Sequence, residues 1–339
     1  MLLRGTGMYH QKTLYPNIDV TRLRETAACD TTVDFMLEFS RRSADVFHLD
    51  LGNVCNMSCR YCCLDHSQQY YATPESVADT IVKASRWNFR KCALVGGEPT
   101  IRRDLLHTMQ LLTSSGINEI TLTTNGLMLS YRRVVQSLVN AGMRTVHLSV
   151  DDFDQGTINW LSRNPNGGEL VFKALDNLMA TPEIKTFLYG VVTRANVGHL
   201  ITYVESVASL RTASSTPDVI FSGMKPIGNL SEDPGDIQIP LSQAADAIKA
   251  AIDRGRELGV GVGFKNIPNC LMKGYEGFNL DAYLVELEFN LVTGEHSTAT
   301  DREQEKTGKA CPSCRWFDSC PGVYKSYTDI HGWSEFECP

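Results

Sequence analysis

The chain has 339 residues, of which 42% are hydrophobic and 21% charged, so the sequence predicts a folded core and excludes a disordered chain. Acidic residues outnumber basic ones by 39 to 32 without any Lys/Arg-rich run, which disfavours nucleic acid as a partner. The eleven cysteines are an odd number, too sparse for a disulfide scaffold, and seven of them fall in or beside two short groups. This arrangement favours metal ligation in a reducing compartment.

Residues 1–45 form a polar lead-in that contains one amphipathic helical pattern, at 31–44. Arg4 directly follows Met1-Leu2-Leu3, so the apolar core of a signal peptide is missing. No apolar run approaches the roughly 20 residues that span a bilayer. We therefore expect a cytoplasmic protein with no membrane partner.

From residue 46 onward, short apolar runs alternate with longer helical patterns. The predicted strands are Val46–Leu51, Cys92–Val95, Glu119–Thr123, Thr145–Val150, Phe187–Val192, Val219–Phe221 and Val260–Phe264. The predicted helices between them are Pro74–Trp87, Arg102–Ser115, Tyr131–Asn140, Leu170–Met179, Asn196–Leu210 and Leu241–Leu258. Such alternation predicts parallel strands with right-handed crossovers. Because the region is shorter than the about 250 residues of a closed eight-unit barrel, we predict an α/β fold, a partial (β/α)6 TIM-like barrel over residues 46–264.

The strand–helix pattern ends after Pro268. Residues 284–290 alternate as a strand, and 291–294 are typical of a hairpin turn. A polar stretch then leads to the second cysteine group. We therefore predict a small C-terminal α+β appendage over residues 265–339, held together by metal.

The first cysteine group, Cys55, Cys59 and Cys62, follows the first predicted strand with C-x3-C-x2-C spacing. Three thiolates on one loop hold three corners of a cubane iron–sulfur cluster and leave its fourth iron open. An open position distinguishes a reactive metal site from a structural one. A zinc knuckle is the alternative, but it prefers four ligands in two-residue spacings.

This spacing, with Tyr61 before the last cysteine, resembles the signature of the radical S-adenosylmethionine (SAM) superfamily. The resemblance implies that Cys55, Cys59 and Cys62 carry the catalytic [4Fe–4S] cluster, whose open iron binds the methionyl amino and carboxylate groups of SAM. It further implies reductive cleavage to a 5′-deoxyadenosyl radical that takes hydrogen from a substrate. A protein such as flavodoxin or ferredoxin would supply the electron.

Motifs at successive strand ends are similar to cofactor-binding segments of that superfamily. Gly96-Gly97-Glu98-Pro99 would contact the methionyl amino group, and the segments ending the third and fourth strands would line the ribose and carboxylate. Taken alone, each glycine-containing motif is equally typical of an ordinary turn. An arginine after a strand is equally typical of a surface residue. The expected cofactor-binding residues are Tyr61, Gly96, Gly97, Glu98, Pro99, Thr123, Asn125, Ser149, Asp151 and Arg194. Asp152 departs from the glycine that many members carry there.

The second cysteine group, Cys311-x2-Cys314-x5-Cys320, resembles the twitch or SPASM extension that carries auxiliary iron–sulfur clusters. Ala299 and Tyr324 stand where the two-cluster form has cysteines, so the resemblance implies a single auxiliary [4Fe–4S] cluster. Its fourth ligand is expected to be Cys270, with Cys338 as the alternative, and a zinc knuckle also remains open. Of the other cysteines, Cys92 is expected to pack in the core, whereas Cys29 and Cys63 have no assigned role.

The predicted function is that of a radical SAM oxidoreductase or lyase acting on a small metabolite in specialised-metabolite biosynthesis. A sugar, aminocyclitol, nucleoside or amino-acid derivative fits, with dehydrogenation or decarboxylation as the favoured reaction. A peptide-modifying maturase and a non-enzymatic, metal-stabilised binding protein are the alternatives. Polar residues expected near the substrate are His66, Tyr70, Tyr71, Asp152, Asp154, Lys225 and Asn229.

Overall fold

The structure of the protein is a computed structural model. It describes residues 46–64, 69–212, 216–227, 230, 237–283, 287–289, 296–298, 304–318 and 320–337. The predicted helix at 31–44 and the residues Cys29, His66, Asn229 and Cys338 lie outside these ranges. In the described part of the chain, no helix is long and apolar enough to cross a membrane.

Seven parallel strands form the main body of the sheet, and each strand neighbours the next one along the chain. They are β1 (Val46–Asp50), β2 (Lys91–Val95), β3 (Glu119–Thr124), β4 (Met143–Ser149), β5 (Lys185–Val191), β6 (Asp218–Ser222) and β7 (Val262–Lys265). The connecting helices are α1 (Pro74–Arg86), α2 (Leu105–Ser114), α3 (Arg132–Asn140), α4 (Gln155–Ser162), α5 (Gly167–Met179), α6 (Leu200–Ser209) and α7 (Leu241–Leu258). Six strand–helix units and a seventh strand confirm the predicted partial barrel.

The two faces of the sheet differ in burial. Side chains such as Leu49, Leu94 and Leu148 alternate along the strands and are buried beneath the helices in one core. Cys92 belongs to the same core, which confirms its predicted packing role. The opposite face carries half-buried polar residues, among them His147. A polar inner face at the carboxyl ends of the strands is where α/β barrels bind ligands.

The C-terminal part contributes to two sheets. Strands β8 (Leu287–Phe289) and β9 (His296–Thr298) form an antiparallel pair, as the predicted hairpin requires, and β8 also pairs parallel with β1. The hairpin thus extends the barrel sheet along the β1 edge, whose backbone groups would otherwise be unpaired. The other sheet pairs β10 (Gln304–Glu305) with β11 (Val323–Tyr324), which leads into α8 (Lys325–His331).

Candidate active site

The first cysteine loop follows β1 at the carboxyl edge of the sheet and docks on helix α4. Arg60 donates its backbone N–H to Leu161 O (2.8 Å) and its Nε to Trp160 O (3.0 Å). The guanidinium lies 4.2 Å above the Trp160 ring, as in a cation–π contact. The last turn of α4 therefore fixes the middle of the loop, next to Cys59.

The thiols of Cys55, Cys59 and Cys62 are partly buried and lie within electrostatic reach of one another. Burial raises the pKa of Cys59, and it raises the pKa of Cys62 to about 11. Cys55 Sγ accepts hydrogen bonds from Met57 N (3.4 Å) and Asn125 Nδ2 (3.6 Å). Three partly buried thiolates repel one another unless a cation compensates their charge. Hydrogen bonds from N–H groups to sulfur are a usual feature of iron–sulfur sites. These residues therefore fit the cluster that their spacing implies.

Gly96 and Gly97 allow two backbone segments to run side by side. Gly97 N donates to Gly52 O (2.7 Å), and Glu98 N donates to Val54 O (2.9 Å). A Cβ on Gly97 would overlap the Val54 carbonyl, and Gly96 has a φ of +128°, which side chains rarely adopt. The two glycines therefore hold the β2 end against the segment between β1 and Cys55.

Glu98 is buried and accepts hydrogen bonds from the protein through both carboxylate oxygens. Oε1 accepts from Thr100 N (3.0 Å), Thr100 Oγ1 and Thr124 Oγ1 (2.8 Å), and Oε2 accepts from Asn125 N (2.7 Å). Burial raises the pKa of Glu98, and these hydrogen bonds oppose the rise. Asn125 Nδ2 in turn donates to Asn56 Oδ1 (2.8 Å). Glu98 therefore positions the β3 end against the cysteine loop, and its expected contact with the SAM ammonium remains a prediction.

Replacing Glu98 by glutamine is expected to weaken both the fold and the cysteine loop. The new NH2 group would face an N–H or O–H donor, so at least one buried donor would lose its acceptor at a cost of about 1–3 kcal/mol. Denaturant unfolding measures the loss of folding free energy. The iron content after anaerobic reconstitution shows whether the cysteine loop still binds iron. The exposed Glu183→Gln is the matched control. Unfolding of Glu98→Gln at the wild-type midpoint would contradict the organising role.

Tyr61 and Asp151 connect the cysteine loop to the ends of β4 and β5. The Tyr61 hydroxyl donates to Asp151 Oδ2, and Val191 N donates to Asp151 Oδ1 (3.1 Å). Asn196 Nδ2 donates to Asp151 O (2.7 Å). Burial raises the pKa of Asp151 to about 6, although the hydrogen bond from Tyr61 lowers it. Tyr61 and Asp151, two expected cofactor-binding residues, are thus brought together beside Cys59.

The remaining expected cofactor residues occupy different places. Thr123 and Ser149 lie half-buried on the polar face of β3 and β4, and Pro99 is buried at the start of a short 3-10 turn. Arg194 is exposed, and it donates its backbone N to Ile237 O (2.8 Å) and Nη2 to Gln238 O (2.9 Å). The structure therefore assigns Arg194 contacts within the protein, and its pairing with the cofactor carboxylate stays a prediction.

The four cysteines expected in the auxiliary site line one cavity. Cys270 follows β7 in a 3-10 turn (Asn269–Leu271), and Cys311, Cys314 and Cys320 come from the segment between β10 and β11. Burial, together with the neighbouring thiols of Cys320, Cys314 and Cys311, raises the pKa of Cys270 to about 11. Gly322 N donates to Cys320 Sγ (3.3 Å). The aromatic side chains of Phe317, Trp333 and Phe336 complete the wall of the cavity. This cavity therefore fits one cluster bound by four cysteines.

Neither cysteine group converges on one point. Within the described ranges, no three His, Cys, Asp or Glu side chains come close enough to hold a single metal ion. A cubane binds each cysteine through a different iron, so its ligands stand around the cluster instead of meeting at one ion.

Several polar residues expected near the substrate have structural partners. Asp152 is buried; its Oδ1 accepts from Phe153 N (2.7 Å), and its Oδ2 lies 2.6 Å from His199 Nδ1. Asp154 caps helix α4 by accepting from Thr157 N (2.7 Å). Tyr70 donates its hydroxyl to Asp50 Oδ2 (3.1 Å), and Tyr71 is exposed with Arg102 over its ring.

Two aromatic residues of the polar face were not predicted from the sequence. His147 of β4 and Tyr189 of β5 stack with their ring centres 6.4 Å apart. Both are half-buried and alternate with core residues along their strands. That alternation is the signal by which they can be found. Together with Thr123 and Ser149 they line the polar face of the barrel.

The open sheet of seven parallel strands, with a cysteine loop after its first strand, places this protein among the partial α/β barrels. Streptococcus suis SuiB bound to S-adenosylmethionine has this fold, with a TM-score of 0.61 and 14% identity over 91% of this chain and 79% of that chain. Residues 49–193 match the family model of the radical SAM superfamily, so this chain carries a radical SAM domain. The match confirms the resemblance and the cofactors predicted for that domain, SAM and a [4Fe–4S] cluster.

Two curated relatives carry the same function in their names. The GTP 3′,8-cyclase of Erythrobacter litoralis is 28% identical over 221 residues, 62% of this chain and 63% of the relative. The probable GTP 3′,8-cyclase of Sulfurisphaera tokodaii is 33% identical over 122 residues, 35% of this chain and 38% of the relative. The chain thus spans less than two thirds of the length of these relatives.

Proposed function

We propose that this protein is a radical SAM enzyme that takes a hydrogen atom from a small-molecule substrate at the polar mouth of the barrel. The observation that carries the proposal is the C-x3-C-x2-C loop at the carboxyl edge of β1, where Glu98, Asn125 and Asp151 fix its surroundings. Cys55, Cys59 and Cys62 would hold the [4Fe–4S] cluster. When bound, the cluster and SAM together supply the 5′-deoxyadenosyl radical.

The chain's own residues would orient the cofactor and hold the cysteine loop. Asp151 and Tyr61 form a hydrogen-bonded pair beside Cys59, in position to bind a polar group of SAM. Asn125 lies against Cys55 and Asn56, at the start of the loop. Helix α4 anchors the middle of the loop through Arg60 and so holds the neighbouring Cys59 in place. The other cofactor contacts proposed are Gly96, Gly97, Glu98, Pro99, Thr123, Ser149 and Arg194.

The proposed substrate is a nucleoside derivative, one of the small-metabolite classes predicted from the sequence. The names of the relatives favour this class over a sugar, aminocyclitol, amino acid or peptide. The same names describe a cyclisation, which favours a lyase-type reaction over dehydrogenation. A protein reductant such as flavodoxin or ferredoxin is part of the proposal, as are the barrel at residues 46–264 and the auxiliary-cluster domain at residues 265–339.

The test is SAM cleavage by anaerobically reconstituted protein with dithionite, followed by chromatographic detection of 5′-deoxyadenosine. We expect 5′-deoxyadenosine to form, faster with guanosine or GTP than with glucose 6-phosphate. If a peptide library stimulates 5′-deoxyadenosine formation and the nucleosides do not, the maturase alternative replaces the nucleoside proposal. If fully loaded protein produces no 5′-deoxyadenosine, the enzyme proposal fails and a metal-stabilised binding protein remains.

A further inference from the structure

The cysteine loop and the end of helix α4 together form a basic surface patch, which consists of Arg60, Trp160 and Arg163. Arg60 directly follows Cys59 and is half-buried, whereas Arg163 is exposed and Trp160 is 40% exposed. Trp160 and Arg163 lie about one helical turn apart, so they share one side of the helix end. The basic patch therefore adjoins the proposed cluster ligands at the surface of the protein.

In the described part of the chain, no carboxylate forms an ion pair with either arginine of the basic patch. Arg60 donates Nε to Trp160 O (3.0 Å), and its guanidinium lies 4.2 Å above the Trp160 ring. These contacts orient the guanidinium but leave its net charge in place. The exposed acidic residues nearest to α4 along the chain have other partners, because Asp154 caps the opposite end of the helix and Glu169 pairs with Lys173 (2.5 Å).

The basic patch is opposite in sign to the whole chain, whose net charge is -7. An acidic protein repels other acidic molecules at long range, and a cationic patch gives them one favourable orientation of approach. Arginine and tryptophan are also among the residues that dominate the binding energy of protein interfaces. Trp160 and Arg60 are already stacked on each other, which lowers the entropy cost of docking. The patch therefore fits an acidic protein surface.

The position of the basic patch points to a partner that delivers electrons. The proposed function needs one electron for each SAM molecule cleaved, and electron transfer slows steeply with distance, so the carrier has to dock beside the cluster ligands. Arg60 is one peptide bond from Cys59, and its backbone N–H donates to Leu161 O (2.8 Å), next to Trp160. Ser58, on the other side of Cys59, is also exposed. A protein seated on the patch would therefore lie against the backbone of a proposed cluster ligand.

We propose that the basic patch docks a small, acidic one-electron carrier protein of the flavodoxin or ferredoxin class. The proposal rests on the proposed function and adds to it the surface that recognises the reductant. In each encounter the reduced carrier loses one electron and the cluster gains it, and no covalent bond forms or breaks. Nucleic acid fits less well, because two arginines on an acidic chain are too few cations to follow a phosphate backbone. Interfaces of electron carriers are small and transient, so we expect weak, salt-dependent binding.

Calorimetry of reconstituted holoprotein with oxidised carriers, without SAM and without a chemical reductant, tests the docking directly. The probes are an acidic flavodoxin and an acidic [2Fe–2S] ferredoxin. We expect at least one of them to bind at low salt, and Arg163→Glu to weaken that binding by roughly tenfold through charge repulsion. Arg163→Lys should keep most of the affinity. Trp160→Ala should also weaken binding but keep its salt dependence, because it removes contact area and no charge.

The matched control is Arg86→Glu, which changes an exposed arginine beside the exposed Trp87 at the end of α1. Helix α1 leads into the start of β2, so this pair lies at the amino edge of the sheet, away from the cysteine loop. Arg86→Glu should bind the carrier as the wild type does. A second readout is the ratio of carrier-driven to dithionite-driven 5′-deoxyadenosine formation, which should fall in Arg163→Glu and stay constant in Arg86→Glu.

Two results would overturn the docking surface: the wild type binds neither carrier at low salt, or Arg163→Glu binds the carrier no more weakly than Arg86→Glu. In the first case, binding of an RNA oligonucleotide that depends on Arg163 would make nucleic acid the partner instead. Both results leave the proposed function standing if dithionite still supports SAM cleavage. Conversely, a carrier bound through Arg163 to a protein that forms no 5′-deoxyadenosine would refute the proposed function and retain the docking surface.

Discussion

Cys59→Ala is expected to abolish 5′-deoxyadenosine formation and to lower the iron content of reconstituted protein from roughly eight to about four per chain. Cys59 is the middle one of the three proposed ligands of its loop, and its neighbour Arg60 is bound to the end of α4, so the loop cannot supply a substitute from the same position. Iron analysis and chromatography of the SAM products measure the two effects. The remaining irons should belong to the auxiliary site.

The matched control is Cys63→Ala, which changes an exposed cysteine four residues further along. It should keep all the iron and the SAM cleavage activity. The double variant Cys311→Ala/Cys314→Ala should also fall to about four irons, but lose those of the other site. If the loop and appendage variants each leave the iron count unchanged, the protein does not hold two clusters.

The strands were predictable because each is a short local run, either alternating between core and polar positions, as β3 does, or buried throughout, as β6 is. Leu148 and His147 in β4 illustrate the pattern, with one side chain under the helices and the next on the polar face. Pairing between β8 and β1 was not predictable, because it joins residues about 240 positions apart and depends on an edge that only the folded sheet creates. Helix α4 was also missed, although Asp154 capping Thr157 is its local start signal.

The cysteine loop of the candidate site could be predicted from the sequence, but the residues that support the loop could not. Cys55, Cys59 and Cys62 lie close together along the chain, so their grouping is a local feature, and their role as cluster ligands stays a prediction. The oxygens of Glu98 accept from Thr100, Thr124 and Asn125, and these partners are brought together only by the folded strand ends, so the sequence did not reveal them. The contacts of Lys225 likewise come from the cysteine loop, β5 and the appendage, which no local pattern connects.

These supports share one arrangement: a buried acceptor at a strand end ties the cysteine loop to the next strand. Glu98 does so through Asn125, and Asp151 does so through Tyr61. Both carboxylates have a raised pKa because they are buried, so each is stabilised by its donors and not by water. The geometry of the loop that would hold the cluster therefore depends on the integrity of β2, β3 and β4.

Cys270→Ser is expected to remove most of the auxiliary iron, lowering the total from roughly eight towards about four per chain, while Cys338→Ser keeps it. Cys270 lines the same cavity as Cys311, Cys314 and Cys320, and their thiols lie within electrostatic reach of it. Replacing a thiolate by a hydroxyl leaves one iron without its soft ligand. Iron analysis, with electron paramagnetic resonance of the reduced protein to count clusters, measures the effect.

The pair of variants also separates the possible ligand sets. Loss of iron in Cys338→Ser alone would make Cys338 the fourth ligand and Cys270 a packing residue, contradicting the assignment proposed here. Full iron in both variants would leave the auxiliary cluster with three cysteines and an open iron. An open iron beside the cavity of Trp333 and Phe336 would give the appendage a second ligand-binding position, where a closed cluster can only transfer electrons or stabilise the fold.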